Sequence, residues 1–410
     1  MNLQEKIQGY LHQELPSYLE LLRQMVEINS FTANARGVNT LGELTMGAFA
    51  GLGFKAELIP SVNPAYGNHL VLTRPGRSSQ TLGLISHLDT VFPPDEEERH
   101  QFHWRPEGDR IYGPGTVDIK GGTVMIYMML AALKDLAPEA FNQVRWVILL
   151  DASEEREADD FGDLCRRYLG PNALAALVFE AGRKSGHVFQ VVTARKGIAV
   201  LQVTAEGRAA HAGSSHAQGA NAIVQLADII QQIAGWTAYE QELTFNIGVI
   251  SGGSVTNRVP HHAEARLEMR AFSPDVFDAG LEQFLALEGY SSISSLEDGY
   301  PCRVSVRLEH RTNPWSPNPA TDRLLAVWQE AAESLGLRVE PERRGGLSDG
   351  NHIWRQIPTL DGLGPAGGNA HCSERSADGS KDQEYVLVSS FVPKALLNIV
   401  AILRLIKAGK

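Results

Sequence analysis

Leu84-Ile85-Ser86-His87-Leu88-Asp89-Thr90 ends an apolar run in a His-x-Asp, and the glycine-framed stretch Gly113 to Gly122 presents a second aspartate, Asp118. A strand that delivers a His and an Asp, followed by a loop that delivers another Asp, is how a site for hard or borderline divalent metals begins. Side chains two apart on an extended segment point to the same side. His87 can then bind a metal while Asp89 takes its other ring N–H and fixes the tautomer. The competing reading of His87 is a satisfied core histidine. Asp118 can bridge two cations with its two oxygens, or serve as a helix N-cap.

Further along, Leu149-Leu150-Asp151-Ala152-Ser153-Glu154-Glu155 places adjacent glutamates after an apolar strand. Neighbours on an extended segment diverge, so one can hold a metal while the other faces the substrate. A glutamate beside an activated water is a general base, and desolvation raises its pKa towards the useful range. A solvated acidic loop competes with that reading, because Arg156, Glu157, Asp159 and Asp160 follow. Glu180 closes the run Leu174 to Phe179, where a turn residue is the plainer explanation. His371 stands in Gly367-Gly368-Asn369-Ala370-His371; spacing alone does not exclude His352, His261 or His262. Taken in order, these motifs supply two histidines and three carboxylates. That is enough for two metals, with Asp118 shared and a position left for water.

The elements that must position these residues are short apolar strands at 69–73, 81–86, 144–150 and 174–179, with a helix at 121–136. Leu3, Ile7, Leu11 and Leu15 recur at helical spacing and continue past Pro16, and a second helix covers 41–52. Continuous apolar strands alternating with helices predict a mixed, mostly parallel sheet sandwiched by helices, an α/β fold. From about Val192 the pattern changes to strand 197–205, helix 221–233, strands 243–250 and 263–271, helix 276–287 and strand 303–308. That βαββαβ order predicts an inserted ferredoxin-like α+β domain. The expected organisation is residues 1–192 and 312–410 as one α/β domain and 193–311 as an insertion, with a Pro-rich return through Pro314, Pro317 and Pro319.

The bulk numbers fit. A chain of 410 residues favours two domains or one with a large insertion. Lys plus Arg is 37 against 48 acidic residues, a formal charge of −11, which argues against nucleic acid or an anionic membrane as the main partner. Cys165, Cys302 and Cys372 show no CxxC spacing and are expected to be idle thiols. The N-terminus has no basic segment leading into an apolar one, and no run is expected to approach the roughly 18 apolar residues of a membrane span. A cytoplasmic location is the expectation. No GxxxxGK[ST] and no strand-linked GxGxxG point to a nucleotide.

With these motifs in place, the chain resembles the glutamate carboxypeptidase and aminoacylase family of dizinc metallopeptidases over nearly its whole length. The resemblance implies that His87, Asp118 and Glu180 hold one zinc, and Asp118, Glu155 and His371 the other, with Co2+ or Mn2+ as admissible substitutes. It implies Glu154 as the general base, Asp89 as the residue orienting His87, and a cis peptide after Asp118. The insertion matches the family's lid, which also forms a homodimer contact. Within Ala209-Ala210-His211-Ala212-Gly213, His211 would cross from a partner subunit to polarise the scissile carbonyl. Gly252 to Pro260 matches the segment whose asparagine, here Asn257, contacts substrate. Arg270 matches the position that holds a substrate carboxylate, as its guanidinium fork suits. A solvated sheet face is the alternative for Arg270. Two stretches depart from the family pattern, Arg156 to Asp160 and Cys372 to Lys381. Both bear on the pocket rim and leave the ligands unchanged.

The expected function is therefore a dizinc hydrolase cleaving an amide bond next to a free carboxylate, as a carboxypeptidase of the glutamate carboxypeptidase type. Its substrates would be small peptides or N-acyl amino acids. An N-acyl amino acid deacylase on the same site is the alternative within the class. A non-catalytic metal- or ligand-binding relative is the alternative outside it.

Overall fold

The computed structural model describes residues 2–156, 160–170 and 172–408. Contacts divide the chain into two units. The first comprises Met1–Thr193, Pro317–Arg343 and Ser348–Lys410; the second comprises Ala194–Ser316 with Arg344–Leu347. The segment 344–347 joins the second unit because Lys196 N–H donates to Arg344 O at 3.1 Å and Arg195 Nη1 donates to Leu347 O at 2.7 Å. Pairing of this kind between distant segments leaves no trace in composition or periodicity.

The first unit is built on a six-stranded sheet. In spatial order its strands are Lys55–Pro60, Asn68–Arg74, Arg145–Asp151, Thr81–His87, Ala173–Val178 and Thr359–Leu360. Thr81–His87 pairs in parallel with both of its neighbours, and Thr359–Leu360 pairs in parallel with Ala173–Val178. The two strands at the other edge pair antiparallel. The sheet is thus mixed and mostly parallel, as the sequence predicts.

Alternation explains the continuous apolar runs, because both faces are covered. Leu82, Leu84, Trp146, Ile148 and Leu150 pack on one face with residues from the helices Leu3–Val26, Lys120–Leu136 and Val388–Ala408. Ile85, Val147 and Leu149 pack on the other with Phe161, Leu164 and Cys165 of the helix Asp160–Leu169. Gly83 belongs in this register because a Cβ there would come within 2.6 Å of Leu169.

Three expectations need correction. The strand Lys55–Pro60 was not anticipated; it is an exposed edge strand with no apolar run to announce it. The second helix begins at Ala35, not Leu41, because the Asn34 side chain caps it by accepting from Gly37 N–H. Among the described residues one helix is long and apolar enough to cross a membrane by length and composition: Val388–Ala408, with a mean hydropathy of 1.6 over its most apolar stretch. That stretch is 72% buried within the protein, which marks a core helix. Its Asn398 bonds Trp328 Nε1 and Leu363 O, as an interior position requires.

The second unit carries a four-stranded antiparallel sheet in the spatial order Thr244–Gly252, His262–Ala271, Gly197–Glu206, Arg303–Thr312. Helices Ala222–Gly235 and Pro274–Leu285 complete the ferredoxin-like arrangement. The strand His262–Ala271 alternates buried and open positions along its length, which leaves one face wetted.

Candidate metal centre

Three parallel neighbours end at the same edge of the first unit's sheet. His87 closes Thr81–His87, Asp151 closes the adjacent strand in register with it, and Val178 leads into Glu180 from the other side. Open α/β sheets present ligand sites at this carboxyl edge. Asp118 arrives from the loop before the helix Lys120–Leu136. Ile119, not Asp118, is that helix's N-cap, and no side chain caps it, so the capping reading of Asp118 falls away. The Asp118–Ile119 peptide is cis. His371 lies in the connection between the paired strands Gly367–Gly368 and Tyr385–Leu387, with a left-handed φ of 66°.

The five side chains converge. His87 Nε2 lies 3.2 Å from Asp118 Oδ1 and 3.7 Å from Glu180 Oε1. His371 Nε2 lies 3.3 Å from Asp118 Oδ2 and 3.2 Å from Glu155 Oε2. Asp118 therefore turns one oxygen to each histidine. His87–Asp118–Glu180 and Asp118–Glu155–His371 each bring their ligand atoms within 4.8 Å of one another, as does His87–Glu154–Glu155. His352, His261 and His262 enter no such grouping among the described residues.

Glu154 and Glu155 stand on a single 3-10 turn, Glu154–Arg156, not on an extended segment. At three residues per turn their side chains still diverge widely. Asp89 holds that turn: Oδ1 accepts from Glu154 N–H at 3.2 Å, and Oδ2 accepts from Glu155 N–H at 3.2 Å and from Thr32 Oγ1 at 2.7 Å. His87 Nδ1 is 3.4 Å from Asp89 Oδ1 but closer, at 3.0 Å, to the Asp89 carbonyl oxygen. Asp89 thus spends its carboxylate mainly on the glutamate turn, a role that sequence reasoning missed. Of the departure that follows, Glu157, Ala158 and Asp159 lie outside the described residues.

The electrostatics are those of crowded buried carboxylates. Burial pushes the Glu154 carboxyl well above its ordinary range against the pull of His87, and nearby Glu180, Glu155 and Asp349 push it further. Burial also opposes ionisation of Asp118, but hydrogen bonds from His371 and His87 outweigh it and hold that group low. Asp118 and Glu155 hold His371 up to about 11. Glu155 Oε1 is buried with no hydrogen-bond partner. An orphaned carboxylate oxygen amid imidazoles and carboxylates fits a divalent cation with nitrogen and oxygen preferences.

Sequence reasoning passed over other supporting groups. Glu384 is fully buried; its Oε1 accepts from Val117 N–H at 2.9 Å and Asp118 N–H at 3.1 Å, and burial raises its carboxyl to about 8. Lys120 is buried and donates to Ile28 O at 3.0 Å. Asp349 is buried, and burial together with Asp151 pushes its carboxyl well up. Lys120 stood in the Asp118-Ile119-Lys120-Gly121-Gly122 motif without a role of its own, Glu384 in the Asp382-Gln383-Glu384 run and Asp349 in Ser348-Asp349-Gly350.

The remaining expected site residues belong to the second unit. His211 and Asn257 are neighbours there: Ala212 N–H donates to Asn257 O at 3.0 Å, and His211 bridges Arg258. His211 Nδ1 accepts from Gly213 N–H at 3.1 Å and Ser214 N–H at 3.0 Å, which leaves the proton on Nε2. Arg270 is not with them. It sits eight residues beyond His262 on the same strand, about 26 Å at roughly 3.3 Å per residue. Its guanidinium already meets Glu268, with Nε donating to Oε1 at 2.9 Å and Nη2 to Oε2 at 3.0 Å.

Residues 83–393 match the peptidase family M20/M25/M40. Carboxypeptidase G2 of Pseudomonas sp. (strain RS-16) is 27% identical over 399 residues, 97% of this chain and 91% of that protein. An acetylornithine deacetylase of Pectobacterium carotovorum subsp. carotovorum (strain PC1) is 27% identical over 345 residues, 80% of this chain and 84% of that one. Among solved structures, a tripeptidase from Staphylococcus aureus shares the fold, with a TM-score of 0.74 at 21% identity over 96% of this chain and 99% of its own.

Proposed function

The chain belongs to peptidase family M20/M25/M40, metallohydrolases of the dinuclear type, and from that premise we propose a carboxypeptidase that cleaves an amide bond next to a free carboxylate. The observation that carries the reading is Asp118 turning one oxygen towards His87 and the other towards His371. His87, Asp118 and Glu180 would hold one Zn2+, and Asp118, Glu155 and His371 the second. Bound there, the pair of cations supplies Lewis acidity to the scissile carbonyl and acidifies water. Glu154 takes the proton from the attacking water and returns it to the leaving amine nitrogen. Asp89 keeps Glu154 and Glu155 in place through their backbone N–H groups.

His211, with its proton on Nε2, is the donor that would polarise the carbonyl, and Arg270 would take the substrate carboxylate. His211 bridges Arg258, ahead of the start of the strand His262–Ala271, and Arg270 stands at that strand's far end, so in one copy the two lie towards its opposite ends. That separation supports a homodimer in which His211 and Asn257 serve the partner's site. The edge strand Thr244–Gly252 supports it too, with Val249 and Ile250 about 60% exposed. Deacylation of an N-acyl amino acid is the second reading, favoured by the acetylornithine deacetylase relative.

The test is zinc reconstitution followed by a panel of peptides with C-terminal glutamate and other residues, and of N-acyl amino acids. Glu154→Ala should cut turnover by about 10²–10⁴-fold with zinc content unchanged. Turnover within about threefold of the parent would remove Glu154 as the base.

A further inference from the structure

Outside the metal centre, the first unit buries a titratable cluster that lies against the segment carrying the two glutamates. His69, on the strand Asn68–Arg74, is 1% exposed. Its Nδ1 lies 3.0 Å from Asp151 Oδ1 and its Nε2 lies 3.1 Å from Asp160 Oδ2. Asp151 ends the strand before Glu154 and Glu155, and Asp160 begins the helix after them. One imidazole therefore touches both flanks of the segment. Each aspartate also holds something else. Asp151 Oδ1 accepts from Ser153 N–H at 2.8 Å and Ser153 Oγ at 3.2 Å, directly before Glu154. Asp160 Oδ2 accepts from Val62 N–H at 2.8 Å.

The proton count follows from the neighbours. Ala152 N–H lies 3.2 Å from Nδ1, but Nδ1 cannot accept from it and donate to Asp151 at once. Burial works against a charged ring, yet the two carboxylates outweigh it and hold the imidazole up to about 9. The ring is then an imidazolium donating at both nitrogens, in charge-assisted bonds. Ser61 Oγ lies 3.4 Å from Nε2 but gives its own proton to Gly67 O at 2.6 Å, so the cluster is not a second nucleophile. Phe161 packs on the ring with centroids 5.4 Å apart.

We propose that His69 is a positioning residue for the hydrolysis: by bridging Asp151 and Asp160 it fixes both ends of the segment that presents Glu154 and Glu155. Asp89 holds the same turn by its backbone N–H groups, so the turn is gripped from two sides. This gives a physical role to Asp160, the last residue of the charged stretch by which this chain departs from its family. The inference rests on the roles of Glu154 and Glu155 proposed above.

The test measures Zn2+ affinity of the metal-free protein against a chromophoric chelator, together with kcat, KM and the thermal midpoint, for His69→Gln, Asp160→Asn and the double variant. His69→Gln should weaken zinc binding and kcat by about 10–100-fold, with KM within about twofold. Asp160→Asn should shift both in the same direction by less, and the double variant should be no worse than His69→Gln alone, since both break one bridge. Asp160 is partly exposed, so its variant carries the test if His69→Gln does not fold. Parental zinc affinity and kcat in the folded variants, with only the midpoint lowered, would make the cluster purely structural and overturn the proposal. A parent that takes up no zinc pair, or a Glu154→Ala variant that still turns over, sinks the site reading and the clamp with it. A parent that passes both checks, with variants that match it, sinks the clamp alone.

Discussion

The carboxyl edge of the first unit's sheet and the wetted face of the second unit's sheet hold their functional candidates in opposite ways. At the first, His87, Asp89 and Glu180 are buried, and their neighbours are fixed by strand register and by backbone bonds to Asp89 and Glu384. At the second, His211 and Asn257 are exposed loop residues, and Arg270 is an open-face residue tied to Glu268. A group that must gather like charges needs a rigid, desolvated frame, because each carboxylate is held against repulsion. A group that only meets substrate can wait in solvent. The difference predicts that changes to the ligand candidates of the first region alter what the protein contains, and changes at the second alter only how it handles substrate.

The largest break is Asp118→Asn. Removing the shared carboxylate should drop bound zinc below two per chain and cut kcat/KM by at least about 10³-fold, roughly 4 kcal/mol. Elemental analysis beside a hydrolysis assay reads both; two tightly held ions in the variant would end the shared-ligand assignment. His211→Ala sharpens the contrast. It should lower kcat by about 10²-fold, the size expected for losing one donor to a developing oxyanion, with zinc content and thermal midpoint unchanged. Loss of zinc from that variant would show that the second unit is part of the metal scaffold after all.

The two regions were also legible to different degrees. The strands ending at His87, Asp151 and Val178 are buried on both faces, so each is a continuous apolar run, and a polar residue at its end stands out. Lys55–Pro60 is an exposed edge strand and leaves no such signature. The five ligand candidates were legible through motif order and family resemblance. Thr32, Glu384, Asp349 and His69 were not, because their work is done by contacts between segments far apart in the chain. Nothing in the sequence says that Asp151 and Asp160 will face one histidine across a sheet. Arg270 was legible as a polar-face residue, but its existing partner was not. The Glu268 carboxylate lies two residues away on the same face, a neighbour that period-two alternation places there without revealing that the two groups pair.

That pairing sets the smallest and sharpest prediction. Both Arg270 and Glu268 side chains are about one-third exposed, so the pair is worth no more than about 1 kcal/mol. A substrate carboxylate must displace Glu268 from the same guanidinium fork. Glu268→Gln removes the competing charge, while Arg270 keeps its bond from Nη1 to Gly345 O at 3.1 Å and so its place. KM should then fall, by up to about fivefold, for substrates with a free carboxylate, with kcat unchanged. A methyl-ester analogue should show no change, because it brings no carboxylate to the fork. An equal fall for the ester would mean that Glu268 repels substrate generally and does not compete for Arg270. A rise in KM for the acid would mean that Glu268 holds the guanidinium in its working orientation, and that the exposed region is preorganised in the manner of the buried one.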